Sequence, residues 1–215
     1  MEYDRISDFI DAYLPEQDDF LKSLEQEALK DEVPIIRRDT QQLIRFLLSA
    51  HRPEKILEIG TAIAFSAILM AKYSSSDTKV VTVEDYEPRL EQAKRNIKAA
   101  GLEDRIRLIE GDGSEVMAKM QDSFDMIFID AAKAQYPVYF EHSKRLLRAG
   151  GLFLADNCLK GGEVVESRYA VTRRNRTIHK RMREFLYEIS VSEDFVTTIL
   201  PVGDGVVMAV KKADK

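Results

Sequence analysis

Apolar residues recur along this chain at two spacings, and the change falls near residue 55. Before it the spacing is helical. Ile6, Phe9, Ile10 and Tyr13, then Phe20, Leu21, Leu24 and Leu29, predict two helices over residues 2–30, parted at Pro15. Val33-Pro34-Ile35-Ile36 interrupts the pattern, and Asp39-Thr40 is placed to cap a third helix with Leu43, Ile44, Leu47 and Leu48 on its inner face. Residues 1–50 therefore read as a helical cap covering a sheet or a partner subunit.

After residue 55, short apolar runs alternate with helical stretches. Lys55–Gly60, Val80–Glu84, Arg105–Glu110, Phe124–Ile129 and Leu152–Ala155 read as strands. Helices are expected over residues 64–73, from about Pro88 to Ala100, over 114–120 and around Tyr139–Leu147. Pro88 suits a first helical turn, and Gly101 suits a stop. Repeated strand–helix units imply a mostly parallel sheet with helices on both faces. A basic helix at about 175–190 precedes Phe195–Leu200, a Pro201-Val202-Gly203-Asp204-Gly205 turn and Val206–Val210, which together predict an antiparallel hairpin. This α/β, Rossmann-like outline of seven strands fits a class I methyltransferase, with a dinucleotide-dependent dehydrogenase open on topology alone.

The chain has 215 residues, 45% of them hydrophobic, enough for one domain spanning residues 1–215 with a substantial core. No Pro/Gly/Ser-rich linker divides it, and no apolar run nears the roughly 18–20 residues that cross a membrane. The start, Met1-Glu2-Tyr3-Asp4-Arg5, lacks a signal peptide's basic and apolar segments. One cysteine, Cys158, builds no disulfide framework, so a cytoplasmic protein is expected. Cys158 itself reads as a small buried residue rather than a nucleophile. Three scattered histidines do not make a structural zinc site.

The chemistry gathers at strand ends, where open α/β sheets bind ligands. Phe124–Ile129 stops at Asp130-Ala131-Ala132-Lys133, and Leu152–Ala155 stops at Asp156-Asn157, so two buried strands deliver oxygen ligands to one shared metal site. The first loop, Gly60-Thr61-Ala62-Ile63-Ala64-Phe65-Ser66, holds a single glycine. A dinucleotide cradle wants three, so Glu58-Ile59-Gly60 suits S-adenosylmethionine instead. Glu84 is placed for both ribose hydroxyls, Asp112 for the adenine amino group, and Ser66 for the cofactor's carboxylate at a helix N-terminus. Arg37, beside the Val33–Ile36 break, completes the cofactor candidates. Each acid also has a plain reading as a helix cap.

These residues resemble a known family. Ile56-Leu57-Glu58-Ile59-Gly60-Thr61-Ala62, Phe128-Ile129-Asp130-Ala131-Ala132-Lys133, Asp156-Asn157 and Pro201–Gly205 look like the cation-dependent O-methyltransferases of the catechol/caffeoyl-CoA type. Within it the chain is most similar to bacterial tRNA 5-hydroxyuridine methyltransferases, which share the Val33-Pro34-Ile35 segment, the Gly-Thr-Ala-Ile loop and an arginine-rich segment before the last helix. The resemblance implies that Asp130, Asp156 and Asn157 bind a divalent cation. An all-oxygen set favours Mg²⁺. It also implies a homodimer and a cofactor site that includes Asp130. Ala64 stands where relatives carry glycine, and its methyl is expected to narrow the space beside the methionine moiety.

A neutral hydroxyl is a poor methyl acceptor. A cation chelated by two adjacent oxygens lowers the hydroxyl's pKa, and Lys133, just past Asp130, is placed to take the proton. Catechols and hydroxycinnamoyl compounds present such oxygens. So does 5-hydroxyuridine at the wobble position of a tRNA anticodon loop, giving 5-methoxyuridine. The formal net charge is −5, yet residues 168–183 carry seven Lys/Arg and no acid. Arg168, Arg173, Arg174, Arg176 and Lys180 in that strip are expected to hold an RNA backbone, which makes tRNA the expected acceptor. A solvated helix face or a dimer contact is the plainer reading. A non-catalytic cofactor-binding RNA chaperone would not need the metal triad.

Overall fold

A computed structural model describes Arg5 and residues 9–159 and 162–213; Ile6 of the first expected helix lies outside the described residues. The sheet has seven strands: β1 (Lys55–Ile59), β2 (Lys79–Glu84), β3 (Ile106–Glu110), β4 (Phe124–Ile129), β5 (Leu147–Ala155), β6 (Phe195–Leu200) and β7 (Val206–Lys211). Their order is β3-β2-β1-β4-β5-β7-β6. The first five run parallel, while β7 pairs antiparallel with both β5 and β6. The expected sheet and terminal hairpin are both present.

The helices are α1 (Asp19–Lys30), α2 (Arg38–His51), α3 (Phe65–Tyr73), α4 (Glu87–Ala99), α5 (Gly113–Lys119), α6 (Tyr136–Leu146) and α7 (Arg176–Val191). They cover the two faces of the sheet with separate apolar clusters. One unites Leu21, Leu24, Ile44 and Leu48 of the N-terminal helices with Ile68 and Met70 of α3 and Met126 and Phe128 of β4. The other packs Phe140, Met182 and Phe185 against Ile127, Phe153 and Val207. The N-terminal helices are thus a cap on α3. This explains why α3 is apolar on every side, with Phe65 to Ala71 all buried. The Asp18 carboxylate caps α1 by accepting from the Phe20 and Leu21 amides and pairs with Lys72 of α3 at 2.9 Å, fastening cap to core.

Two boundaries and one core residue differ from the sequence reading. Helix α2 begins at Arg38, so Asp39 sits in its first turn rather than at its cap. Its carboxylate instead accepts from the Thr40 amide at 2.8 Å and from the Gly203 amide at 2.8 Å, tying α2 to the hairpin turn. Strand β5 starts five residues early, at Leu147, because Phe124 pairs with Leu147 before an irregularity shifts the register. Residues 148–150 are exposed and carry no apolar signal. Ala64 is wholly buried in the core with a left-handed φ of +68°, and it does not line the cavity. Its methyl therefore narrows nothing beside a ligand.

Candidate active site

The sheet's hydrogen-bond ladder runs one residue past three strand ends and sets the site. The Gly60 amide donates to Val83 O at 3.0 Å, the Asp130 amide to Ile59 O at 2.9 Å and the Asp156 amide to Ile129 O at 2.9 Å. Both acids are therefore fixed to the carboxyl edge of the sheet by backbone geometry. The chain then turns sharply at Asn157, whose φ of +61° is one that asparagine tolerates among non-glycine residues.

Two lobes open along this edge. A cavity of about 300 Å³ is lined by Arg37, Gly60, Ser66, Asp130, Asp156 and Asn157, with Lys133 and Asp204 completing the wall. A second, of about 320 Å³, is lined by Glu84, Asp85, Asp112, Gly113, Gln135 and Tyr139. They share Gly60, Ala62, Asp130 and Ala131, so together they form one continuous cleft across the ends of β1 and β4.

The expected cofactor residues divide between these lobes. Glu84 closes β2, and its carboxylate accepts from the Ala62 amide at 2.7 Å and the Tyr86 amide at 2.9 Å. Asp112 caps α5 by accepting from the Glu115 amide at 2.9 Å, so the plain reading of that acid holds alongside its place in the cleft. Arg37 is half exposed and pairs with Asp204 at 3.5 Å, bridging the N-terminal segment and the hairpin turn across the first cavity. Asp204, Gln135 and Tyr139 were not singled out from sequence. Asp204 lies in the Pro201–Gly205 motif, which reads as a turn and carries the family resemblance without giving this acid a role of its own, and Tyr139 falls within an expected helix with no site role until α6 is placed against the second lobe. Burial and the neighbouring acids Asp112, Asp85 and Glu84 push the Tyr139 hydroxyl up to about 12.

Glu58 stands beneath the cleft, wholly buried, its carboxylate accepting from the Thr82 hydroxyl at 2.6 Å. Burial pushes it up to about 8, against the opposing pull of the Ser66 and Thr82 hydroxyls. The folded carboxyl thus holds its proton to higher pH than the unfolded one. Its destabilising effect is absent below about pH 4.5, grows as pH rises, and is full above about pH 8. Ligand-free protein should therefore unfold more readily at pH 9 than at pH 5, by up to about 4 kcal/mol from this group. Glu58→Gln should remove most of that slope. Urea titrations of both proteins at the two pH values check this, and an unchanged slope in the variant would contradict it.

Asp130, Asp156 and Asn157 come together as the sequence suggested. The Asn157 amide donates Nδ2–H to Asp130 Oδ1 at 2.9 Å, and the Asn157 backbone N–H donates to Asp156 Oδ1 at 2.6 Å. Asp156 is 2% exposed, and burial, with Asp130 adding to it, pushes its carboxyl up to about 7. A buried carboxylate beside a second, partly buried one suits a hard cation, and the amide supplies a third oxygen. The donor set fits Mg²⁺ on that ground. Among the described residues no group of three His, Cys, Asp or Glu side chains is arranged to hold a metal, so the amide is needed to complete the set. Lys133 opens the short 3-10 turn Lys133–Gln135 and lines the cavity. Cys158 is buried, its thiol donating to Ala155 O at 3.3 Å, and burial pushes it well above its usual range, which agrees with a core role.

The basic strip is less uniform than its sequence. The Arg176 guanidinium donates to Val171 O, Arg181 to Ala134 O, and Arg183 to Val164 O and Glu166 O, so these three pin the preceding loop against α7 and the 3-10 turn. Arg176 is thus tied to the loop through Nε. Lys180 pairs with Glu184 along the helix at 3.5 Å, and Arg168, Arg173 and Arg174 are exposed.

A model of the O-methyltransferase family matches residues 11–212. The catechol O-methyltransferase of Niastella koreensis is 30% identical over 171 residues, covering 76% of this chain and 77% of that protein. The caffeoyl-CoA O-methyltransferase of Stellaria longipes is 30% identical over 174 residues, covering 77% and 71%. The crystal structure of a Bacillus cereus O-methyltransferase in complex with SAH superposes with a TM-score of 0.84 at 28% identity, covering 97% of both chains.

Proposed function

The chain belongs to the O-methyltransferase family, and we propose that it moves the methyl group of S-adenosylmethionine onto one of two adjacent acceptor oxygens with the help of Mg²⁺. One observation carries this reading. Asp130, Asp156 and Asn157 share a single cavity with Gly60 and Ser66, so a cation and a methyl donor would meet there. SAH, held by the Bacillus cereus relative, is what S-adenosylmethionine becomes on losing its methyl group, which supports that donor.

In this reading Glu84 accepts from the ribose hydroxyls, Asp112 meets the adenine, and Ser66, with Arg37 across the cavity, holds the methionine end. Gly60 gives the donor close access to the sheet. Asp130, Asp156 and Asn157 hold the cation, which when bound lowers the pKa of the acceptor hydroxyl and fixes its direction. Lys133, on the same wall, would receive the hydroxyl proton at Nζ as the neutral amine, a form that a dication close by favours. The remaining gain is positional, because two reactants held in contact react as one molecule.

The catechol and caffeoyl-CoA relatives favour a catechol-like or hydroxycinnamoyl acceptor. The second reading, 5-hydroxyuridine in a tRNA anticodon loop, is favoured by the exposed Arg168, Arg173 and Arg174 beside α7 in a chain that is acidic overall. In either case a homodimer is proposed, with the N-terminal helices as its contact. No helix among the described residues is long and apolar enough to cross a membrane.

Labelled methyl transfer from S-adenosylmethionine tests both readings. Catechol should be methylated and phenol should not, with EDTA stopping the reaction and Mg²⁺ restoring it. Equal transfer to phenol would sink the adjacent-oxygen requirement. If tRNA carrying 5-hydroxyuridine is the acceptor, Arg173→Ala combined with Arg174→Ala should cut its methylation at least about tenfold near 0.1 M salt and flatten the salt dependence. Unaltered tRNA methylation in that variant would sink the second reading.

A further inference from the structure

A groove of about 520 Å³ lies outside the cleft, between the loop at Ser167-Arg168 and the outer face of α7. Lys180, Arg183, Glu184 and Tyr187 stand on that face at helical spacing, with His179 behind them. Its walls are mostly carbon, its rim carries Arg168 and a Lys180 that pairs with Glu184, Arg183 beside them reaches the Val164 and Glu166 carbonyls, and Tyr187 is 72% exposed. Nothing in the methyl-transfer chemistry uses these residues. The groove is nevertheless a neighbour of the site, separated from it by shared walls. His179 lines both the groove and a small cavity of about 50 Å³, and that cavity shares Lys133 and Asn157 with the candidate active site.

An exposed aromatic ring set among cations on a largely apolar floor is what binds an unpaired nucleobase and its flanking phosphates. Charge complementarity selects a polyanion. The cations continue past the groove to exposed Arg173 and Arg174, further than one small phosphorylated molecule would need. We propose that this groove holds an unpaired RNA base a few nucleotides away from the one being methylated, stacked on Tyr187 with its phosphates on Arg168 and Lys180. The proposal rests on the RNA reading of the acceptor and adds to it a stacking residue and a direction of approach. The reacting base would enter past His179 and Lys133.

Fluorescence anisotropy with the full chain and a labelled 17-nucleotide RNA hairpin bearing a seven-base loop tests it. Tyr187→Ala should weaken binding about 5- to 100-fold, and Tyr187→Phe, which keeps the ring, should stay within about twofold of the parent. Thermal midpoints of the two variants verify folding. A blunt double-stranded RNA should bind equally to all three proteins. Full hairpin affinity in Tyr187→Ala, with loss in Arg173→Ala/Arg174→Ala, would remove the groove and leave the RNA reading standing. No hairpin binding by the parent, with adenosine 3′,5′-bisphosphate bound in a Tyr187-dependent way, would overturn both in favour of a nucleotide-tailed small acceptor. A halved mass in sedimentation for Tyr187→Ala would mark the groove as a contact between copies of this chain and overturn the proposal.

Discussion

Replacing Gly60 with alanine should abolish measurable binding of S-adenosylmethionine and cost about 2–5 kcal/mol of stability. The residue has φ +100°, which an L side chain adopts at about 1–2 kcal/mol. Space is the larger obstacle. An added Cβ would lie 2.0 Å from Asp130 O, 2.7 Å from Asp130 C and 3.3 Å from Ala131 Cα. All three are backbone atoms at the end of a buried strand, so no rotamer change relieves the clash, and overpacking adds roughly 1–3 kcal/mol. Relief has to come from moving Asp130, which belongs to both lobes of the cleft and to the proposed cation ligands. Gly101 provides the comparison. Its φ is also left-handed at +66°, but an added Cβ would meet nothing within 4 Å. Gly101→Ala should therefore cost about 1 kcal/mol and leave cofactor affinity alone. Calorimetric titration and urea unfolding of the two variants would separate strain from collision. Normal cofactor affinity in Gly60→Ala would contradict this account of the site.

That collision explains much of what could be read from the sequence. The strands were legible because buried parallel strands need mainly apolar runs, and four of the five parallel strands here lead to a residue the cleft uses: Gly60, Glu84, Asp130 and Asp156. Once strand order is fixed, the ladder leaves these residues no other place to go. Contacts between distant segments left no local trace. Asp39 looks like a helix cap, and only the fold shows it holding the Gly203 amide, 164 positions away. Arg173, Arg174 and Arg176 are equivalent as charges, yet only Arg176 reaches back to a loop carbonyl. Ala64 was read through its side chain, whereas its backbone is what departs from the ordinary. Strand β5 was cut short because exposed Arg148, Ala149 and Gly150 separate buried Leu147 from the apolar run that starts at Leu152.

Exchanging Asp156 for asparagine should move activity and stability in opposite directions. The carboxyl is buried beside Asp130 and pushed up to about 7 from an ordinary 3.8. Because the folded group holds its proton more tightly than the unfolded one, its ionisation weakens the metal-free fold increasingly between about pH 4 and pH 7 and fully above that. Asparagine keeps the shape and can still accept from the Asn157 amide, without the charge. The metal-free variant should be roughly 2–4 kcal/mol more stable than the parent at pH 8, a difference that disappears near pH 4. Adding Mg²⁺ should stabilise the parent, since binding to the folded state alone raises stability with cation concentration. The variant should gain little. Its methyl transfer at saturating S-adenosylmethionine should fall at least about a hundredfold, equivalent to about 2.7 kcal/mol of transition-state stabilisation. A site used only for structure would lose stability on this exchange and keep its turnover. A more stable protein that has lost both its response to Mg²⁺ and its catalysis is the outcome expected of two carboxylates held together for a cation.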